Sequence, residues 1–230
     1  MSDLKNLYAQ MWSNSIDRFK RNNCEIDPLI KDESDMRRGI TVLSYFNDSV
    51  GCKVSNFLEE LKTIEPEQYY YPKSELHVTI LSIISCISGF KLSHIDVEAY
   101  SSIFKEAIKN IDGFKINFKG ITVSPSCILI QGFPDSTQLN HLRDSLRVGF
   151  KRANLELNID SRYKISTAHA TVVRCVTPFK NSNELLAVLS KYRDYDFGTL
   201  EIKSLELVFN NWYQNLSITR CLSSTRLKSS

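Results

Sequence analysis

Two segments of this 230-residue chain carry the same short pattern, a histidine followed two positions later by a threonine. The chain contains only four histidines, and two of them begin this pattern: His77 with Thr79, and His169 with Thr171. Both lie in runs of apolar and β-branched residues, LHVTIL and AHATVV, which are typical of strands. Side chains two positions apart on a strand project from one face. Each imidazole should therefore lie beside a hydroxyl, with Val78 and Ala170 on the opposite, core side.

The hydrophobic pattern predicts that one structural unit occurs twice. An amphipathic helix comes first, followed by a β-α-β-α-β unit and then by a second copy that ends in one additional strand. In each copy, the second strand carries the His-x-Thr pattern. Predicted helices cover residues 3–22, 50–63, 96–111, 136–153 and about 182–192, and predicted strands cover 40–46, 76–84, 114–123, 127–133, 168–176, 199–209 and 215–222.

This order also predicts the domain organisation. No low-complexity segment or long linker interrupts the chain, which favours one domain of two lobes. We expect residues 1–38 to form a helix-and-loop extension packed on the core. Residues 39–222 should form the two-lobed domain, with halves at about 39–123 and 127–222. Residues 223–230 are polar, and we expect a flexible tail there.

The paired pattern suits the cleavage of a phosphodiester. That reaction needs one group to accept a proton from the attacking oxygen and another to protonate the leaving oxygen. Histidine can do either near neutral pH, because its unperturbed pKa is about 6.5. Threonine hydroxyls can donate hydrogen bonds to the phosphoryl oxygens, whose charge is redistributed in the transition state. A lone histidine on a strand is more often structural, but two matched pairs favour a catalytic interpretation.

The two segments resemble the two-histidine (2H) phosphoesterase superfamily. This group includes RNA 2′,3′-cyclic phosphodiesterases and enzymes named 2′-5′ RNA ligases. The resemblance is carried by LHVTIL (76–81) and AHATVVR (168–174), together with the closing segment LELVFNNWYQN (205–215). It implies an α+β, bilobal and pseudo-symmetric fold, in which two antiparallel sheets face a central cleft and the helices lie outside.

The same resemblance implies an activity and roles for the four residues of the pattern. The activity is that of a metal-independent phosphodiesterase that needs no cofactor. Its substrate would be a nucleotide or RNA phosphoester: a 2′,3′-cyclic phosphate, a 2′-5′ linkage or a cyclic nucleotide. His77 and His169 would be the acid–base pair, and Thr79 and Thr171 would contact the phosphate.

Four further residues are candidates for substrate binding: Tyr71, Arg174, Trp212 and Tyr213. Aromatic side chains at a cleft rim can stack on a nucleobase, although core packing is their commoner role. Arg174 matches an arginine often found in the superfamily five residues after the second histidine. On an ideal strand it would face away from the cleft, so a structural ion pair is the alternative. Arg37 and Arg38 lie among acidic residues, which favours a solvated, self-paired charge cluster.

Composition and charge limit the expected class of binding partner and the expected cellular compartment. A net charge of +3 and a pI of about 8.4 fit a nucleotide or RNA-end substrate better than duplex DNA. The N-terminus lacks the apolar core of a signal peptide, and the longest apolar stretch is too short to span a bilayer. Six cysteines occur without a Cys-x-x-Cys pair, as is typical of buried thiols in a reducing compartment. We therefore expect a cytoplasmic protein without a membrane partner.

Two alternatives remain open from the sequence. The first is a catalytically silent RNA- or nucleotide-binding module that uses the same cleft. The second is a metal-dependent hydrolase, which has less support because no metal-ligand spacing is present. The remaining histidines, His94 and His141, are predicted to be surface or capping residues. The sequence leaves open the natural substrate, the direction of reaction, the oxygen that keeps the phosphate, which histidine is the acid, the role of the extension and the oligomeric state.

Overall fold

The secondary structure follows the predicted order, with two additional strand segments. The computed structural model describes residues 2–155, 158–161 and 164–228. The helices are α1 (Ser2–Lys20), α2 (Asp48–Ile64), α3 (Val97–Ile108), α4 (Gln138–Arg152) and α5 (Ser182–Lys191). The strands are β1 (Arg37–Tyr45), β2 (Tyr69–Tyr70), β3 (His77–Ser88), β4 (Phe114–Ser124), β5 (Cys127–Pro134), β6 (Ala170–Arg174), β7 (Asp196–Ile202), β8 (Ser204–Asn211) and β9 (Arg220–Arg226).

Three predicted segments differ from the structure. The predicted strand 199–209 is two strands, β7 and β8, because the chain passes from one sheet to the other at Lys203. The predicted strand 215–222 begins later, at Arg220, because a turn organised by the Asn211 side chain precedes it. The predicted tail 223–230 is strand as far as Arg226, while residues 229–230 lie outside the described part of the chain.

Two antiparallel sheets make up the α+β fold. The first has the strand order β3-β1-β8-β9 and the second β2-β6-β5-β4-β7. In the first sheet, β3, which carries His77 and Thr79, pairs with β1, the first strand of its half. In the second sheet, β6, which directly follows His169, pairs with β5, the first strand of the second half. The next strand comes from the other half, since β8 joins the first sheet and β4 joins the second. The boundary between the sheets therefore does not follow the predicted boundary between the halves.

The helices bury one apolar face each against the sheets or a neighbouring helix. In α4 the buried residues recur at helical spacing: Leu139, Leu142, Arg143, Leu146 and Phe150. In α2 they include Phe57, Leu58 and Leu61. One hydrophobic core connects both sheets to these helices. None of the described helices combines the length and apolarity that crossing a lipid bilayer requires.

The first helix of the extension packs on the second sheet. Tyr8, on α1, is buried, and its hydroxyl donates to the carbonyl of Gly132 at 3.1 Å. The same hydroxyl accepts from the backbone N–H of Ala168 at 3.2 Å. Burial raises the pKa of Tyr8 to about 12, so this hydroxyl keeps its proton. The extension therefore fixes the backbone directly before His169.

Irregular pairing of β3 keeps its polar side chains on one face. The β1–β3 register skips Ile80 and then Ile83. Each extra residue in a bulge reverses the alternation of side chains along the strand. As a result, Ser82 and Ser85 lie on the same cleft face as His77 and Thr79, although their sequence spacing does not fit a regular strand.

Candidate active site

One cleft brings together the two His-x-Thr segments. It lies where β3 of the first sheet contacts β6 of the second. Seven of the eight site residues predicted from the sequence line it: His77, Thr79, His169, Thr171, Tyr71, Arg174 and Trp212. The backbone neighbours Val78 and Ala170 are buried on the other side, as their alternation predicts. The polar lining also includes residues that the sequence did not single out: Thr41, Ser82, Ser85, Asp160, Asn210 and Gln214.

The His77 ring has a fixed orientation and a fixed tautomer. Its Nδ1 lies 2.7 Å from the carbonyl oxygen of Glu75. A carbonyl oxygen can only accept, so Nδ1 carries the proton and donates it. The rings of Tyr45 and Tyr71 pack edge-on to the imidazole, with centroids at 6.3 and 6.5 Å. In the neutral ring, Nε2 is therefore an unprotonated nitrogen.

The His169 ring is held in a parallel way. Its Nδ1 lies 2.6 Å from the hydroxyl oxygen of Thr167. In both histidines, therefore, Nδ1 bonds to the residue two positions earlier in the chain. A hydroxyl can donate or accept, so this contact permits either tautomer of His169. When Nδ1–H donates to Thr167, Nε2 is left as a proton acceptor.

Both imidazoles have a lowered pKa. The pKa of His169 is lowered to about 4, chiefly by burial and then by the positive charges of Arg143, His77 and Arg174. Burial also lowers the pKa of His77, but the Glu75 carbonyl opposes this effect by accepting a hydrogen bond. Both rings are therefore neutral at pH 7 when no anion is bound. An anion in the cleft would raise the pKa of both histidines, because an opposite charge favours the imidazolium.

The two threonine hydroxyls are available to a ligand. Thr79 and Thr171 are half-buried and line the cleft. Among the residues that the structure describes, neither hydroxyl has a hydrogen-bond partner, and neither is sealed off from solvent. Each can therefore donate to an oxygen placed between the two imidazoles.

Arg174 faces the cleft, which corrects the expectation from ideal strand alternation. The β5–β6 register pairs Ile128 with Val173 and Leu129 with Thr171, so Val172 is an extra residue. This bulge puts Arg174 on the same face as Thr171. The expected ion pair is also present, since the Nη1 atom of Arg174 lies 3.7 Å from Oδ2 of Asp27. Burial lowers the pKa of Arg174, but neighbours that include Tyr71 and Asp27 raise it by more.

The aromatic candidates have different positions. Trp212 is half-buried in the cleft wall, and the Arg37 guanidinium lies over its ring at 5.3 Å. Tyr71 is buried, lines the cleft and accepts a 2.9 Å hydrogen bond from Nε of Arg174. Tyr213 is buried behind the cleft wall, where its hydroxyl donates to Asp27 at 2.8 Å and accepts from Arg37 at 3.0 Å. Of these three, Trp212 is the one whose side chain is only half-buried.

The predicted charge cluster is self-paired at Arg37 and Asp35, which are half-buried, while its other acidic residues, Asp32 and Glu33, are exposed as predicted. Arg37 forms a bidentate contact with the Asp35 carboxylate, at 2.8 and 2.9 Å. The Asp35 side chain is only 8% exposed. The Arg38 guanidinium donates to the backbone carbonyls of Asp35 and Arg37. The cluster therefore supports the wall around Trp212.

A buried arginine that sequence reasoning missed connects the two motif segments. Arg143 of α4 is 1% exposed and donates from Nε to the Ile80 carbonyl at 2.8 Å. Its Nη2 donates to the Thr167 carbonyl at 2.7 Å and to the Thr79 carbonyl at 3.4 Å. Burial lowers the pKa of Arg143 to about 10. The available sequence signal was a charged residue within the apolar stripe of a predicted helix.

The remaining histidines lie outside the cleft, and no metal-ligand cluster is present in the described part of the chain. His94 and His141 are both exposed, as predicted. Within residues 2–155, 158–161 and 164–228, no three His, Cys, Asp or Glu side chains are grouped so that they could hold a metal ion.

Solved structures share this α+β fold of two antiparallel sheets. The protein TT0787 of Thermus thermophilus superposes with a TM-score of 0.63 at 13% identity, over 84% of this chain and 99% of its own. A structure described as a phosphoesterase gives 0.55 at 12% identity, over 84% and 99%. E. coli LigT without ligand gives 0.55 at 14% identity, over 83% and 98%.

These likenesses confirm the fold that the resemblance implied. LigT, a 2′-5′ RNA ligase, belongs to the 2H phosphoesterase superfamily and has also been solved with 3′-AMP, ATP and NADP+. At 12–14% identity the comparison concerns the fold alone. By sequence, no protein-family model and no curated protein matches the chain.

Proposed function

We propose that this protein is a metal-independent phosphodiesterase that hydrolyses a nucleotide or RNA phosphoester, with a 2′,3′-cyclic phosphate as its preferred class of substrate. The observation that carries the proposal is the matched setting of the two histidines. Each ring is anchored through Nδ1 by the residue two positions before it, and each lies beside an available threonine hydroxyl in one cleft. Nucleotides bound to LigT, which has the same fold, support a nucleotide ligand.

In this proposal the phosphate lies between the imidazoles. The Thr79 and Thr171 hydroxyls donate to its non-bridging oxygens, and the Arg174 guanidinium offsets its charge. Hydrogen bonds that strengthen as charge is redistributed stabilise the transition state more than the ground state. Half-buried Trp212 stacks on the base, as aromatic side chains do with unpaired nucleotides. The role of Tyr213 is to support Arg37 and Asp27, not to contact the substrate.

The two histidines divide the proton transfers. We assign His169 as the general base: neutral Nε2 accepts a proton from a water molecule that attacks phosphorus. His77 is the general acid: its protonated Nε2 gives a proton to the ribose oxygen as the phosphorus–oxygen bond breaks. One water is consumed, and the ring opens to a phosphomonoester. The assignment is supported by the Glu75 carbonyl, which accepts from Nδ1–H of His77 and so stabilises its charged form.

A substrate panel in excess EDTA tests the proposed function. It compares adenosine 2′,3′-cyclic phosphate, a 2′-5′ dinucleotide and a 3′,5′-cyclic nucleotide, and records which oxygen keeps the phosphate. We expect turnover of the 2′,3′-cyclic phosphate that the chelator does not affect. Tight binding without turnover of any member would instead identify a silent binding module. Activity that EDTA removes and a divalent ion restores would identify a metal-dependent hydrolase.

A further inference from the structure

The extension after α1 inserts a carboxylate beside the cleft arginine. Its backbone runs along the end of the second sheet, where Glu25 N–H donates to the Pro125 carbonyl at 2.8 Å. Asp27 N–H donates to the Cys175 carbonyl, also at 2.8 Å. These bonds fix the backbone at Glu25 and at Asp27, and hydrogen bonds from Tyr213 and Leu29 to its carboxylate fix the direction of the Asp27 side chain. That side chain is 16% exposed and points to Arg174.

The contacts of Asp27 divide between its two oxygens. Oδ1 accepts from the Tyr213 hydroxyl at 2.8 Å and from Leu29 N–H at 3.2 Å. Oδ2 lies 3.7 Å from Nη1 of Arg174, which is too long for a normal hydrogen bond but close for a charge pair. One oxygen therefore has a structural role, while the other acts on Arg174 mainly through its charge.

Arg174 does not need Asp27 for its orientation. Its Nε donates to the Tyr71 hydroxyl at 2.9 Å, and its guanidinium lies over the rings of Tyr71 and Tyr213 at 5.9 and 5.2 Å. The guanidinium is thus held by aromatic side chains whatever the charge at position 27. What Asp27 adds is a negative charge next to the positive charge that faces the ligand.

The other charged side chains described around the cleft do not change the pairing of the Asp27 charge with the Arg174 charge. Asp160 lines the cleft but is paired with Arg147 at 2.7 Å. Both imidazoles are neutral at pH 7 without a ligand. Arg143 lies behind both motif segments, where its two shorter bonds go to backbone carbonyls. Among the residues that the structure describes, Asp27 is therefore the acidic side chain that pairs with Arg174, the cation in contact with the ligand space.

We propose that Asp27 sets the charge preference of the cleft, favouring singly charged phosphodiesters over doubly charged phosphomonoesters. The proposal rests on the proposed function, and it concerns the same cleft. Hydrolysis converts a diester with one negative charge into a monoester that carries nearly two at neutral pH, since the second phosphate pKa is about 6. A carboxylate behind Arg174 repels that product more than the substrate. Asp27 would therefore speed product release and reduce inhibition by phosphomonoesters.

Coulomb's law gives the expected relation between the change in affinity for a dianion and the change for a monoanion. The interaction energy scales with the product of the charges, so removing one negative charge favours a dianion twice as much as a monoanion. Affinity depends exponentially on energy, so the fold-change for the dianion is the square of that for the monoanion. If Asp27→Asn tightens monoanion binding about threefold, dianion binding should tighten about ninefold.

Calorimetric titration at pH 8 with two matched esters tests the proposal. The ligands are 3′-deoxyadenosine 2′-phosphate and its O-methyl ester, which differ by one charge and cannot cyclise without a 3′ hydroxyl. Asp27→Asn keeps an acceptor oxygen for Tyr213 and Leu29, so the fold should persist. Asp32→Asn is the matched control, because Asp32 is an exposed acid of the same segment that bonds to Ser34. Circular dichroism checks both variants.

We expect Asp27→Asn to tighten both ligands, with the monoester gaining about the square of the gain of the methyl ester, and Asp32→Asn to change neither. Equal gains, no gain, or weaker binding of both esters by Asp27→Asn would overturn the inference, and so would failure of the wild type to bind either ester. A gain with the predicted ratio in a protein that turns over no phosphodiester would leave the inference standing and refute the proposed function.

Discussion

Replacing Arg143 by methionine should lower the rate of the proposed reaction strongly but the stability of the fold only slightly, because the arginine holds the two His-x-Thr segments in position. The arginine makes two short charged hydrogen bonds, to the carbonyls of Ile80 and Thr167. Bonds of this kind contribute about 1.5–3 kcal/mol each, so the pair contributes about 3–6 kcal/mol. Against this, burial lowers the Arg143 pKa from 12.5 to about 10. That shift corresponds to a cost of about 3 kcal/mol for holding the charge inside the protein.

The two contributions nearly cancel, so Arg143→Met should lower the free energy of unfolding by only about 0–3 kcal/mol. The rate should respond more strongly. Without the guanidinium, β3 loses its bonded connection through α4 to Thr167, which anchors His169. A displacement near 1 Å can cost about 10²-fold, and we expect kcat to fall about 10–100-fold.

Three variants separate geometry from charge. Arg143→Lys keeps a charge but cannot span both carbonyls, so kcat should fall while the low pKa of His169 persists. Arg143→Met removes both the charge and the hydrogen bonds, so the pKa of His169 should also rise, because the positive charge of Arg143 lowers it. Arg152→Met, at an exposed position on the same helix, is the control for loss of a positive charge. Urea denaturation, kcat and pH–rate profiles are measured for each. A folded Arg143→Met protein with wild-type kcat and an unshifted profile would refute the reasoning.

Two further predictions concern the hydroxyls and the pH dependence. Thr→Ser at position 79 or 171 should keep most activity, whereas Thr→Val should lower kcat about 10²-fold, because only the serine retains a donor; equal losses would indicate a packing role. Burial lowers the pKa of both His77 and His169, so the protonated acid becomes scarce in the free protein as pH rises. The profile of kcat/KM should therefore peak below pH 6.5 and fall towards alkaline pH. The profile of kcat should lie at higher pH, because a bound anion raises the pKa of both histidines. An alkaline optimum of kcat/KM would contradict this account.

The sequence predicts the local features of the site because these depend on residues close together in the chain. The two-residue period of a strand places His77 beside Thr79 and buries Val78 on the other side, and the structure agrees. The order of helices and strands follows equally from hydrophobic spacing. Trp212 is placed in the cleft wall by a turn directly after β8, a segment already recognisable in the sequence.

Other features depend on pairing between distant segments, and sequence periodicity does not encode them. The bulge at Val172, which turns Arg174 into the cleft, exists only in the register between β5 and β6. Exchange of β4 and β8 between the sheets likewise depends on the whole topology. The contact of Asp27 with Arg174 joins two segments that are far apart in the chain. A single chain gives no local signal for such a pair.

The central claim is that His77 and His169 act together as acid and base in one cleft. Its most direct test is the rate of hydrolysis of adenosine 2′,3′-cyclic phosphate in excess EDTA by wild type, His77→Ala and His169→Ala. His141→Ala is the matched control, since His141 is exposed on α4. Each proton transfer contributes about 10²–10⁴-fold, so each cleft variant should lose at least about 10²-fold with an unchanged circular dichroism spectrum, and the control should keep its rate. A folded His77→Ala or His169→Ala protein that retains near-wild-type turnover would contradict the account.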